Sequence, residues 1–184
     1  MKRTSAALQP PRARFTGIVY LLYFLIAILA QVLTGQKHVA VGNATNIVAF
    51  VLYFALALLF YYLFKPVNRV VSFIAAFVSI AGCVLGAVAI YYLPAAGISP
   101  LIFFAPYCLL IGYLIFRSAF LPHILGVLML LAGVGWLVYL SPLVKYLAMY
   151  IEGLGILAEA ALMLWLIVMG VKVQQWKEQA GTSA

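Results

Sequence analysis

The apolar positions of this chain fall into six long runs, about residues 15–33, 47–64, 70–93, 99–116, 123–140 and 149–171. A helix needs about 20 apolar residues to cross a hydrocarbon layer roughly 30 Å thick, and each run approaches or exceeds that length. The polar stretches between them carry stop signals. Thr34 to Asn46 reads as a loop, TGQKHVAVGNATN. Lys65-Pro66 ends the second run, because proline lacks the N–H that a helix interior requires, and the short KPVNR turn predicts a hairpin. Pro94 closes the third run, and Pro100 suits the first turn of the fourth, in which Pro106 is expected to introduce a kink. Arg117 to Pro122 and Ser141-Pro142 supply the last two breaks. The pattern predicts an all-α polytopic membrane protein, a six-helix transmembrane bundle between two polar tails, residues 1–14 and 172–184. Trp176 in the second tail is expected at the membrane interface.

Composition agrees with lipid as the solvent. Hydrophobic residues make up 68% of the 184 and charged residues 8%, with a mean hydropathy of +1.20, whereas soluble domains carry about 25% charge. The net charge of +8 would suit nucleic acid, but the basic residues sort by side instead. Lys2, Arg3, Arg12, Arg14, Lys65, Arg69, Arg117, Lys172 and Lys177 fall on one side of a six-span chain, and Lys37 and Lys145 on the other. The positive-inside rule then places both termini in the cytoplasm. The expected partner is the bilayer, not nucleic acid. A cleaved signal peptide competes for the first run, but that run is long and its small-residue site poor.

Two of the three acidic residues lie inside the last run. Glu152 and Glu159 are seven residues apart, within roughly 20° of one helix face. The ten Leu, Ile and Val residues of 149–171 favour insertion by about 3–6 kcal/mol, which two central charges at about 2.5–3.5 kcal/mol each would cancel. Glu152 sits in the first turn, near the outer interface, whereas Glu159 lies about 10 Å deeper. Glu159 is therefore expected to be protonated, paired or facing water. No Lys or Arg shares its depth, while Gln31, Asn46, Tyr91 and Tyr92 lie near the outer helix ends. These positions predict an outward-facing ligand pocket lined by Gln31, Glu152 and Glu159, taking a cation, a proton or an amine-bearing lipophile. The competing reading makes Glu159 structural, hydrogen-bonded to a tyrosine or a carbonyl.

Other features point to packing. Cys83 and Cys108 are expected as buried free thiols, although a disulfide is geometrically conceivable. Gly82 and Gly86 form a GxxxG step, read as close packing within the bundle rather than as a dimer face. Tyr20, Tyr61, Tyr62 and Tyr146 read as an interfacial belt. His38 and His123 fall on opposite sides, so they cannot share a metal or haem, and no metal or catalytic residue is assigned. Asn43-Ala44-Thr45 is formally a glycosylation sequon beside the membrane. YYLFKPVNRVVSFIAAFVSIAG and GYLIFRSAFLPHILGVLMLLAG share an aromatic–basic–proline turn, either an ancient duplication or convergence of apolar hairpins. Nucleotide-binding loops, HExxH and serine elbows are missing, and the sequence leaves any cofactor unknown.

Four collinear stretches carry a family resemblance: ARFTGIVYLLYFLIAILA, LFKPVNR, FRSAFLPHILGVLMLLAGVGWL and LAEAALMLWLIVMGVKVQQWKE. Together they resemble a bacterial family, number 4386 in the domain-of-unknown-function series. The resemblance implies a multi-span protein of the bacterial inner (plasma) membrane and supplies no activity. Glu159 lies within one of these stretches. The functional expectation is binding or transport of a small cationic or lipophilic solute, with a homodimer needed if the bundle moves. The alternatives are a structural or accessory subunit of a larger membrane complex and, more weakly, an intramembrane lipid-modifying enzyme.

Overall fold

A backbone inside lipid must satisfy its own N–H and C=O groups, and uninterrupted apolar runs do so as helices. The computed structural model describes residues 13–92, 101–139 and 141–182. The basic residues before Ala13, the Pro94–Pro100 segment and the side chains of Tyr91 and Tyr92 lie outside the described residues. Seven helices are described: α1 (Ala13–Gly35), α2 (Val39–Phe64), α3 (Arg69–Tyr92), α4 (Leu101–Arg117), α5 (His123–Tyr139), α6 (Val144–Val168) and α7 (Val173–Thr182). By length and composition α1, α2, α3 and α6 can each cross a membrane, whereas α4 and α5 are apolar but shorter. Helix α4 runs through Pro106.

Three boundaries differ from the hydropathy reading. Helix α2 begins at Val39, so the expected thirteen-residue loop shrinks to Gln36–His38. The polar residues there are absorbed by helical backbone: Thr34 Oγ1 donates to the Ala30 carbonyl at 2.9 Å, and Thr45 Oγ1 to that of Val41 at 2.8 Å. Lys37 makes the reversal with a φ of 66°, a conformation that costs a side-chain-bearing residue about 1–2 kcal/mol.

Helix α6 starts at Val144 and stops at Val168, three residues before the apolar run ends. Gly170 ends it at a φ of +68°, its N–H and that of Met169 both donating to the Trp165 carbonyl. A glycine in this position is a common helix terminator, because it alone takes the left-handed region without a Cβ penalty.

The third difference is α7, a helix where the sequence suggests only a polar tail. Trp176 is buried rather than interfacial, and its Nε1 donates to the Leu63 carbonyl at 2.9 Å.

Each of α1 to α6 packs against its neighbours in the chain, and α6 returns to α1, closing a ring. The α2–α3 and α4–α5 turns and α7 gather at one end of the ring, hereafter the closed end. Asn68 caps α3 there, its Oδ1 accepting from the Val71 N–H at 3.0 Å. Phe60, Phe64 and Phe120 stack through centroid separations of 5.9 and 6.1 Å, each almost wholly buried. Ile115, Leu63 and Trp176 complete this plug. Outward positions such as Leu25, Val51, Phe73 and Phe77 are large, apolar and exposed, as a lipid-facing shell requires.

Candidate functional site

At the opposite, open end the ring encloses a cavity of about 580 Å³ to which all six helices contribute. Aromatic side chains line it from four helices: Tyr23 and Phe24 of α1, Phe50 and Tyr53 of α2, Phe103, Phe104 and Tyr107 of α4, and Trp136 of α5. The rings form a nearly continuous track. Centroids lie 4.6 Å apart from Tyr23 to Tyr53, 5.8 Å from Tyr53 to Tyr107, 6.3 Å from Tyr107 to Phe104 and 5.3 Å from Phe104 to Trp136. Helix α3 adds Ser79, Gly82 and Cys83, and α6 adds Gly155, Ile156 and Glu159. Gly155 is what lets α6 approach α5, since a Cβ there would lie 3.0 Å from the Trp136 indole.

Glu159 sits at the floor of the cavity and is 5% exposed. The Tyr20 hydroxyl of α1 faces its carboxyl group, while Oε1 has no hydrogen-bond partner in the protein. Ser79 Oγ and Trp136 Nε1, on the same wall, are also buried without partners. Leaving such an atom unsatisfied costs about 1–3 kcal/mol. The lining residues include no Lys or Arg among the described residues, so the wall offers the carboxyl no cation. Unpaired buried charge is expensive. The unpaired oxygen can accept a hydrogen bond or face a positive charge.

Of the residues singled out from the sequence, Gln31 and Glu159 both line the cavity, as does Asn46. Glu152 does not. It is exposed beyond the rim and accepts a hydrogen bond from the Tyr139 hydroxyl at 3.1 Å. Helical spacing aligned the two carboxylates angularly. The axial offset of about 10 Å carries Glu152 past the cavity to the end of α5.

Tyr20, expected in an interfacial belt, is instead 1% exposed and faces the Glu159 carboxyl. It lies seven residues inside α1, a depth at which a tyrosine signals a buried polar contact more than a headgroup anchor; that was the available clue. Cys83 and Cys108 are free and buried. Gly82 and Gly86 pack within the bundle, on Phe103 of α4 and Phe50 of α2. Among the described residues no group of three His, Cys, Asp or Glu side chains is placed to hold a metal.

No match to a curated protein or to a solved structure was found. Residues 95–170, which take in α4, α5 and α6 with Glu159, match the family model described as Domain of unknown function (DUF4386), and this is the family that the four collinear stretches resemble.

Proposed function

We propose that this protein binds a small solute with an apolar body and one cationic or hydrogen-donating group, held in the cavity with that group on Glu159. The observation that carries the reading is the buried Glu159 Oε1, unpartnered at the floor of a six-helix aromatic cavity. A cationic head beside that oxygen replaces the missing partner, and the Tyr23, Tyr53 and Tyr107 faces favour positive charge further. The closed end, sealed by Phe60, Phe64, Phe120 and Trp176, supports a receptor or a carrier state open at one end over a channel. An accessory subunit would be expected to fill its core, so the cavity favours binding over that alternative.

The same reading places the protein in the bacterial plasma membrane with six spans and both termini in the cytoplasm. Lys65, Arg69, Arg117 and Lys172 flank turns at the closed end, and Lys37 and Lys145 flank those at the open end, a distribution that supports a cytoplasmic closed end. The shorter α4 and α5 fall at the lower limit of spanning length.

The test is native mass spectrometry of the protein extracted gently from its own membrane, with Glu159→Gln alongside. A retained small molecule is expected, bound about 10- to 100-fold more weakly by the variant, as loss of a charge-assisted hydrogen bond implies. Equal retention by both proteins would refute the assignment of Glu159. A stoichiometric protein partner in place of a small molecule would favour the subunit reading.

A further inference from the structure

The helices around the cavity are not joined equally. At the open end, five of the six seams in the ring are closed by a glycine packed against the neighbouring helix. Gly42 of α2 meets Ala30 and Thr34 of α1, and Gly86 of α3 meets Phe50 of α2. Gly82 of α3 approaches Phe103 of α4, Gly133 of α5 approaches Leu109 of α4, and Gly155 of α6 approaches Trp136 of α5. The sixth seam, between α6 and α1, has its glycine contact at the closed end instead, where a Cβ on Gly17 would lie 2.8 Å from Ile167. Toward the open end this seam has no glycine contact among the described residues. Gly153, on this stretch of α6, meets no other atom within contact distance. Ile28 and Val32 of α1 and Ile156 of α6 all line the cavity, yet they are 56%, 48% and 60% exposed. Side chains that face both a cavity and the outside mark an opening. This one is framed by aliphatic groups and lies on the flank of the ring, one helical turn from Glu159.

From this geometry we infer that the cavity's guest enters sideways from the hydrocarbon layer, between α1 and α6, and that it belongs to the lipophilic organic ammonium class. The inference rests on the binding function proposed above and specifies its ligand and route. A water-borne cation has no reason to cross an isoleucine- and valine-framed gap, since burying a charge without a partner is costly along the way. An amphiphilic amine already lies in the bilayer with its alkyl body among the acyl chains. Moving between the two isoleucines, it keeps that body in apolar surroundings throughout. Its ammonium group meets an unpaired carboxyl oxygen at Glu159 Oε1. Ser79 Oγ and Trp136 Nε1 remain for a second polar group on the guest.

The test uses protein in lipid nanodiscs and a bromine-bearing dodecylamine, whose arrival in the cavity quenches Trp136; the component of quenching lost in Trp136→Phe identifies that signal. In Ile28→Cys/Ile156→Cys, a cleavable bismaleimide spans the seam. Cys83, which lines the cavity, is replaced by alanine in all of these proteins, and Cys108 is buried. The expected result is that cross-linking slows both association and release roughly tenfold or more, with the equilibrium Kd unchanged, and that cleaving the linker restores both rates. Ile156→Trp, which fills the gap without a linker, is expected to slow the same steps. Unchanged rates in cross-linked protein, with amine binding intact, would overturn the lateral route while leaving the binding site standing. Absence of amine binding to the unmodified protein would overturn both. Equal affinity for a short water-soluble amine such as butylamine would overturn the lipophilic class alone.

Discussion

The Glu159–Tyr20 contact links α6 to α1 across the ring, and it sets the terms on which a carboxyl survives at this depth. Tyr20→Phe keeps the ring and its edge contacts with Phe24 and Phe60 but removes the hydroxyl, leaving the carboxyl without that donor. A loss of about 1–3 kcal/mol is expected, read as a lower thermal midpoint in detergent. Combining it with Glu159→Gln is expected to be non-additive by more than about 0.5 kcal/mol, as directly contacting residues are. Strict additivity would show that the hydroxyl and the carboxyl do not act together. Glu159 itself was legible in the sequence, because a carboxylate within an apolar helix has few destinations. Its partner was not. Helical periodicity fixes the direction of a side chain around its own axis, but not which of five other helices stands opposite, so the depth of Tyr20 hinted at a buried contact without pairing it with Glu159. The same limit separated Glu152 from Glu159, since angle is readable from spacing and the position of a cavity is not.

At the scale of elements, hydropathy located six helices to within a few residues at most ends and faltered where polar residues belong to a helix. The start of α2 hid behind Asn43, Thr45 and Gly42, polar or helix-weakening residues that tertiary packing and hydroxyl-to-carbonyl bonds accommodate. Helix α7 hid for a related reason: it is short and polar, and what fixes it is one buried indole. Lys172 N–H donates to the Phe120 carbonyl and Gln179 Oε1 accepts from the Ala119 N–H, so α7 is tied to the α4–α5 turn as well as to α2. Trp176→Phe retains an aromatic body but leaves the Leu63 carbonyl without the indole donor. The expected cost is about 1–3 kcal/mol, visible as faster trypsin cleavage after Lys172 and Lys177 under native conditions. A variant as resistant as the wild type would mean that the helix is held by its apolar face and the Gln179 contacts alone.

For the whole molecule, membrane character was readable from composition alone, whereas the closure of the ring was not. A hydropathy profile orders helices along the chain and is silent on whether the last returns to the first. The proposed six-span arrangement makes a direct prediction. Lys37→Cys and Lys145→Cys are expected to react with an impermeant maleimide from one face of sealed membranes, and Lys65→Cys, Arg117→Cys and Lys172→Cys only from the other. All five positions are exposed. Labelling of Arg117→Cys from the same face as Lys37→Cys would exclude six spans and restrict crossing to the longer helices.

The bond from Trp176 to Leu63 joins residues 113 positions apart, and that separation has a meaning in time. Chains are made from the N-terminus, and early segments begin to fold while later ones are still being synthesised. The hairpin of α2 and α3 is complete long before the indole that seals its end exists. During that interval the Leu63 carbonyl must be satisfied by water or lipid headgroups, and the aromatic plug of Phe60, Phe64 and Phe120 has no lid. Helix α1 waits in the same way for α6. Ring and seal are therefore late, paired events in the biogenesis of this protein, and a chain cut short after α6 would reach the membrane with its helices inserted and its closed end unsealed.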